Sequence, residues 1–286
     1  MKMEAAIFYD SYLPEALRRA LDYAGDDGFV ASLPALLRAR AVAPFDNIIW
    51  NTWFSPNSEE SLITTPQGNR VVVTVHGGGI FGSPERFEKL FRADTSRFSE
   101  VSFTGLFAAK ITEREAHDVL RGHLPDGSDI PVFSFNEFNR GIADLPRHYA
   151  VVMDFEIAKN CRSGYEKFDD LKDDPLMIVR AGGVEMAAAY LDKARSRHNT
   201  QRMGSWHPFN SILDLEQPQT RVPTLAGNPG GTGTEEDDGG IHGYDAEFGM
   251  GGDSSIHNTS MINVARYIAV APRDVATSVR HLSFNA

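Results

Sequence analysis

One segment has the residue types and order of an anion cradle: Val75-His76-Gly77-Gly78-Gly79-Ile80-Phe81-Gly82-Ser83-Pro84. It follows a β-branched run and precedes a helical pattern. Glycines there let the backbone turn tightly and aim bare N–H groups at an oxyanion or phosphate, while the next helix adds the positive end of its dipole. Gly77, Gly78, Gly79, Gly82 and Ser83 are the expected lining, with His76 as base or orienter. The competing reading is a tight strand-to-helix crossover. A second cluster, His242-Gly243-Tyr244-Asp245 followed by Asp253-Ser254-Ser255-Ile256-His257, gathers imidazoles and carboxylates on a glycine-rich stretch. His242, Asp245, Asp253 and His257 are N/O donors suited to Zn2+, Mn2+ or Fe2+, and the acidic run Glu236-Asp237-Asp238 suits Mg2+ or Ca2+. No diagnostic spacing is present, so a solvated acidic loop competes with the metal site.

Val75–Pro84 resembles the oxyanion loop of esterases related to hormone-sensitive lipase, which are α/β-hydrolases. The resemblance spans ten residues. It implies a G-x-S-x-G nucleophile elbow, which the chain lacks. Gly252-Asp253-Ser254-Ser255-Ile256 comes nearest, without the final glycine, and is followed by His257, Asp274 and His281. Membership is not claimed. Gly77, Gly79 and Gly82 also spell G-x-G-x-x-G, but the next strand pattern ends at Ala109-Lys110 and not at the acidic residue that would hold a ribose.

The elements that would position these groups alternate. Leu13 to Ala24 and Phe29 to Val42 read as helices, Ile48 to Trp50 as a short strand. Val71 to Val75 has the continuous β-branched character of a strand buried on both faces. Helix follows over Pro84 to Phe91, strand over Phe103 to Ala109, and a helix begins at Thr112 with Glu115 completing a capping box. Pro131 to Phe135, Tyr149 to Phe155 and Leu176 to Val179 read as strands, Gly183 to Arg197 as a helix. This predicts an α/β fold with a mostly parallel mixed sheet flanked by helices, an N-terminal helical segment and a long Gly-rich C-terminal insertion. The expected organisation is a helical segment 1–45, an α/β core 46–200, an irregular Gly/acidic region 201–260, and a strand and helix over 261–286. Residues 227–252 hold ten of the 25 glycines, so that region is either a surface insertion or a lid over the cradle.

Strand ends add Glu137 and Asp154 as candidate acid/base groups, against the alternative that they cap helices. Trp206-His207-Pro208-Phe209 reads as an apolar plug with a satisfied histidine. Lone Cys161 excludes an intrachain disulfide or cysteine zinc cluster and fits a cytoplasmic setting. No apolar run reaches the length of a membrane span. With 28 Lys+Arg against 39 Asp+Glu, the net charge of −11 disfavours nucleic acid and anionic lipid as partners. The expected partner is a small-molecule substrate, with self-association left open. The leading functional expectation is a hydrolase of a small polar or anionic ester, amide or phosphoester, with His76, Glu137, Asp154, Ser254 and His257 as catalytic candidates. The alternatives are a nucleotide- or NAD(P)-binding oxidoreductase and a non-catalytic binding module.

Overall fold

A computed structural model describes residues 2–93, 108–197, 202–210, 217–225, 241–242 and 265–273. Within them the chain is mixed α/β, built from three sheets. The largest has six strands: β3 (Ser58–Thr64), β4 (Arg70–His76), β5 (Ala108–Lys110), β6 (Val132–Ser134), β7 (Tyr149–Asp154) and β10 (Gln219–Arg221), in the order β5-β10-β3-β4-β7-β6. A three-stranded sheet has β13 (Ala265–Arg273) between β1 (Lys2–Asp10) and β2 (Phe29–Val30). A four-stranded sheet runs β11-β12-β9-β8, with β8 (Gly164–Lys167), β9 (Arg202–Ser205), β11 (Thr224–Leu225) and β12 (Ile241–His242).

Pairing is mainly antiparallel, which corrects the expectation of a mostly parallel sheet. Only β6–β7 and β9–β12 run parallel among the described strands. β4 is buried on both faces as expected, yet both its neighbours, β3 and β7, are antiparallel. A β-branched run reports double-sided burial, and that burial arises here from two apolar layers and not from βαβ crossovers. Val72, Tyr149, Val151 and Met153 face one layer, while Ile63, Val73, Val75 and Ala150 face the other.

β3 pairs with β4 through a hairpin in which Thr65 N–H donates to Asn69 O (2.8 Å) and Gly68 N–H to Thr65 O (2.8 Å). Around the sheets lie α1 (Leu13–Ala24), α2 (Leu33–Val42), α3 (Pro84–Ala93), α4 (Glu113–Leu120), α5 (Phe135–Asn139), α6 (Phe155–Lys159), α7 (Phe168–Lys172), α8 (Pro175–Ala181) and α9 (Val184–Arg197). The N-terminal segment is not purely helical. It contributes β1, and Phe29–Val30 forms β2 ahead of a shorter α2.

Ile48–Trp50 forms turns, not a strand. The run Leu176–Val179 is helix α8, because Asp174 caps its start (Oδ1 accepts from Met177 N–H, 2.9 Å), Pro175 begins it, and Gly182 at φ 86° ends it. All seven residues of α8 except its first are buried, so no helical periodicity is visible in the sequence. The capping box at Thr112 is present as expected. The expected closing helix after Arg273 and most of the glycine-rich region lie outside the described residues.

Candidate functional site

The glycine loop is occupied by a carboxyl group of the protein itself. The Glu59 carboxylate accepts hydrogen bonds from Ile80 N–H (2.9 Å) and Phe81 N–H (3.0 Å). Gly79 has φ 116°, and a Cβ there would lie 2.2 Å from the Glu59 Cδ. A Cβ on Gly82 would meet the Gly78 backbone at 2.6 Å. The crevice lined by Asn57, Glu59, Gly82, Val222 and Tyr267 leaves no room for a water molecule. The loop geometry is therefore that of a cradle already filled. Burial pushes the Glu59 carboxyl up to about 7, against the opposing pull of its two backbone donors and Thr220.

His76 has both ring nitrogens engaged. Its Nε2 lies 3.0 Å from Val179 O, so it donates, and the ring is the neutral tautomer with Nδ1 as acceptor. Ser58 Oγ lies 2.9 Å from Nδ1 and accepts from Leu33 N–H (2.9 Å). The chain Leu33–Ser58–His76–Val179 ties α2, β3, β4 and α8 together. Burial pushes the His76 imidazole down to about 4, which disfavours its protonated form. The expected base is a staple of the core.

On the same face, Glu60 and Arg180 form a bidentate pair, with Nε to Oε1 at 2.6 Å and Nη2 to Oε2 at 2.9 Å. Arg180 Nη1 also donates to Trp206 O (2.9 Å). Both side chains are almost fully buried, at 1% and 3% exposure. Trp206 thereby links the six-stranded sheet to the four-stranded one at the end of β9. Its ring meets Tyr165 edge-on at 5.7 Å, and its buried indole N–H has no hydrogen-bond partner among the described residues. His207 donates from Nε2 to Cys161 O (3.0 Å) and accepts Phe209 N–H at Nδ1 (3.2 Å), the satisfied histidine expected of this plug. Burial lifts the Cys161 thiol to about 12, and it donates to Ile157 O.

The strand-end carboxylates cap helices. Glu137 reaches back to Ser134 N–H (2.9 Å) in a capping box, and the Ser134 hydroxyl holds its carboxyl below the usual range. Asp154 accepts from Glu156 N–H (2.8 Å) at the start of α6. Both face solvent, and both spend their carboxylates on helix starts away from the glycine loop. Ser83 is buried, and its carbonyl accepts Phe87 N–H (2.8 Å). Asp245, Asp253, Ser254 and His257 lie outside the described residues. His242 is described as part of the β12 backbone. Among the described residues no three His, Cys, Asp or Glu side chains gather as a metal-holding group.

The residues absent from the sequence expectations are Glu59, Glu60 and Arg180. Ser58-Glu59-Glu60-Ser61 looks like a polar loop. The available signal was the Thr65-Pro66-Gln67-Gly68-Asn69 turn before Val71, which marks a hairpin and hence a strand on its other side.

No family model matches the chain, and no curated protein matches it. Among solved structures it is similar to one described as "Accommodation of massive sequence variation in Nanoarchaeota by the C-type lectin fold", at 20% identity and a TM-score of 0.56. The match covers 93% of this chain and 96% of that one. This likeness overturns the hydrolase expectation, whose α/β-hydrolase or dinucleotide loop would need parallel strands around β4. What the likeness establishes is architecture: the chain has the C-type lectin fold.

Proposed function

We propose that this chain is a non-catalytic binding module. The observation that carries the reading is the likeness to a C-type lectin fold over 93% of its length. The filled glycine cradle and the fully engaged His76 support it, because both groups are spent on holding the sheets. The similar protein is described as accommodating massive sequence variation. By extension, the buried pairs of this chain act as a scaffold on which surface residues set ligand choice.

The ligand contact is assigned to the four-stranded sheet, where Trp206 follows β9 and its indole N–H, beside Tyr165, has no partner among the described residues. A buried donor without an acceptor carries a desolvation penalty that a ligand acceptor would relieve. The net charge of −11 disfavours phosphate backbones as that ligand. No described helix is long and apolar enough to cross a membrane. A cytoplasmic setting is inferred from the single, buried Cys161.

The test is a screen of glycan and peptide arrays alongside ester, phosphoester and NAD(P)H turnover assays. Binding without turnover, weakened about tenfold by Trp206→Phe with folding retained, is the expected outcome. Turnover abolished by changing Glu59 or His76 in a protein that remains folded would overturn the reading.

A further inference from the structure

The three-stranded sheet ends on a long, regular edge. β1 pairs with β13 residue for residue from Lys2↔Arg273 to Asp10↔Ala265, without a bulge. Among the described residues no strand pairs with its other edge. Edge strands are normally blunted by proline, a bulge, a central charge or short length. β1 has nine residues, no proline, and no charge between Ala5 and Tyr9. Tyr9 is 64% exposed. Every second residue of β1 turns its N–H and C=O away from β13, a ready template for another strand.

We propose that β1 is a homodimer seam, pairing antiparallel with β1 of a second copy about a two-fold axis through Ala6. The sequence of the strand selects both occupant and register. With Ala6 opposite Ala6, the facing pairs are Ala5 with Ile7, Glu4 with Phe8, Met3 with Tyr9, and Lys2 with Asp10. All nine residues are used, both ends bring opposite charges together, and no like charges meet. Sliding by two residues toward Asp10 sets Glu4 against Asp10, while sliding the other way leaves Asp10 without a partner from β1. A one-residue slip joins opposite faces of the two sheets. The selected register keeps like faces together, so the product is one continuous six-stranded sheet, β2-β13-β1-β1-β13-β2. Such a two-fold interface is self-complementary by construction.

The test combines sedimentation equilibrium with cross-linking of the full chain. The expected result is a monomer–dimer equilibrium whose dissociation constant rises about tenfold for Lys2→Glu, which sets like charges at both ends of the seam. Ala6→Cys should form a disulfide-linked dimer under mild oxidation, because the axis brings the two positions within disulfide reach. Tyr9→Cys, although more exposed, should not, since its equivalents lie far apart along the seam. A monomer at every concentration, or a dimer that ignores Lys2→Glu and does not cross-link through Ala6→Cys, would overturn the proposal.

Discussion

Glu59 and Glu60 are neighbours on β3, both withdrawn from water, and they point to opposite faces of the same sheet. Glu60 meets a full opposing charge in Arg180. Glu59 meets backbone N–H groups from the glycine loop and, among the described residues, forms no ion pair. The first arrangement sets each buried charge against its opposite. The second leaves a carboxyl whose proton affinity is raised by burial, with Glu115 adding a like-charge push. The same residue type on one strand is thus ion-paired on one face and held by backbone N–H groups, with a raised proton affinity, on the other.

The largest expected effect comes from breaking the charged face. Arg180→Met strands the Glu60 carboxylate in the core and should cost about 3–5 kcal/mol in urea unfolding. Adding Glu60→Leu should recover most of that loss, because a buried pair is weak net stabilisation against an apolar replacement. A single variant as stable as wild type would show that Glu60 does not need its partner.

On the other face, Gly79→Ala should cost about 2–4 kcal/mol, from a Cβ forced onto the Glu59 carboxyl and a left-handed backbone that disfavours side chains. Thermal melts would read this directly. An unshifted midpoint would mean that the loop has slack around Glu59.

The pH dependence sharpens the contrast further. The Glu59 carboxyl sits near 7 in the fold against 4.5 for an ordinary one, so its contribution is complete below about pH 4.5 and is lost as pH rises through 7. His76 acts in the opposite sense: its folded value near 4 lies below 6.5, so its contribution is complete above about pH 6.5 and is lost as pH falls through 4. Each swing is on the order of 3 kcal/mol, and between these limits they offset one another. Glu59→Gln should therefore gain on wild type by up to about 3 kcal/mol between pH 4.5 and above pH 7. A pH-independent difference between the two proteins would break the contrast.

The smallest effect belongs to a carboxylate outside both faces. Glu137→Ala removes half of an exposed capping box and should cost about 1 kcal/mol or less, with ligand binding unchanged.

What was legible in the sequence was local chemistry. Thr112 with Glu115, the helix from Leu13 to Ala24, and the double-sided burial of Val71–Val75 depend on near neighbours and appear as read. The carboxyl that fills the glycine loop is not legible, because Glu59 lies on a strand whose first four residues are polar, and two acidic residues in a row suggest solvent. Parallel and antiparallel pairing of β4 would give the same β-branched run. The direction is decided by β3, which only its turn announces, and by β7, which joins the sheet through contacts no local pattern encodes. Leu176–Val179 reads as a strand because a helix buried all round has no apolar stripe, although Asp174, Pro175 and Gly182 mark its ends.

The two kinds of strand pairing also imply an order of assembly. The β3–β4 hairpin closes through a five-residue turn, Thr65 to Asn69, whereas β1 and β13 are drawn from opposite ends of the described chain. Loop-closure entropy is small for the first and large for the second, so the hairpin carrying both glutamates can form early. The three-stranded sheet must wait until the intervening chain has compacted. Pulsed hydrogen exchange during refolding should accordingly protect Val72–Val75 amides before those of Ile268–Ala271.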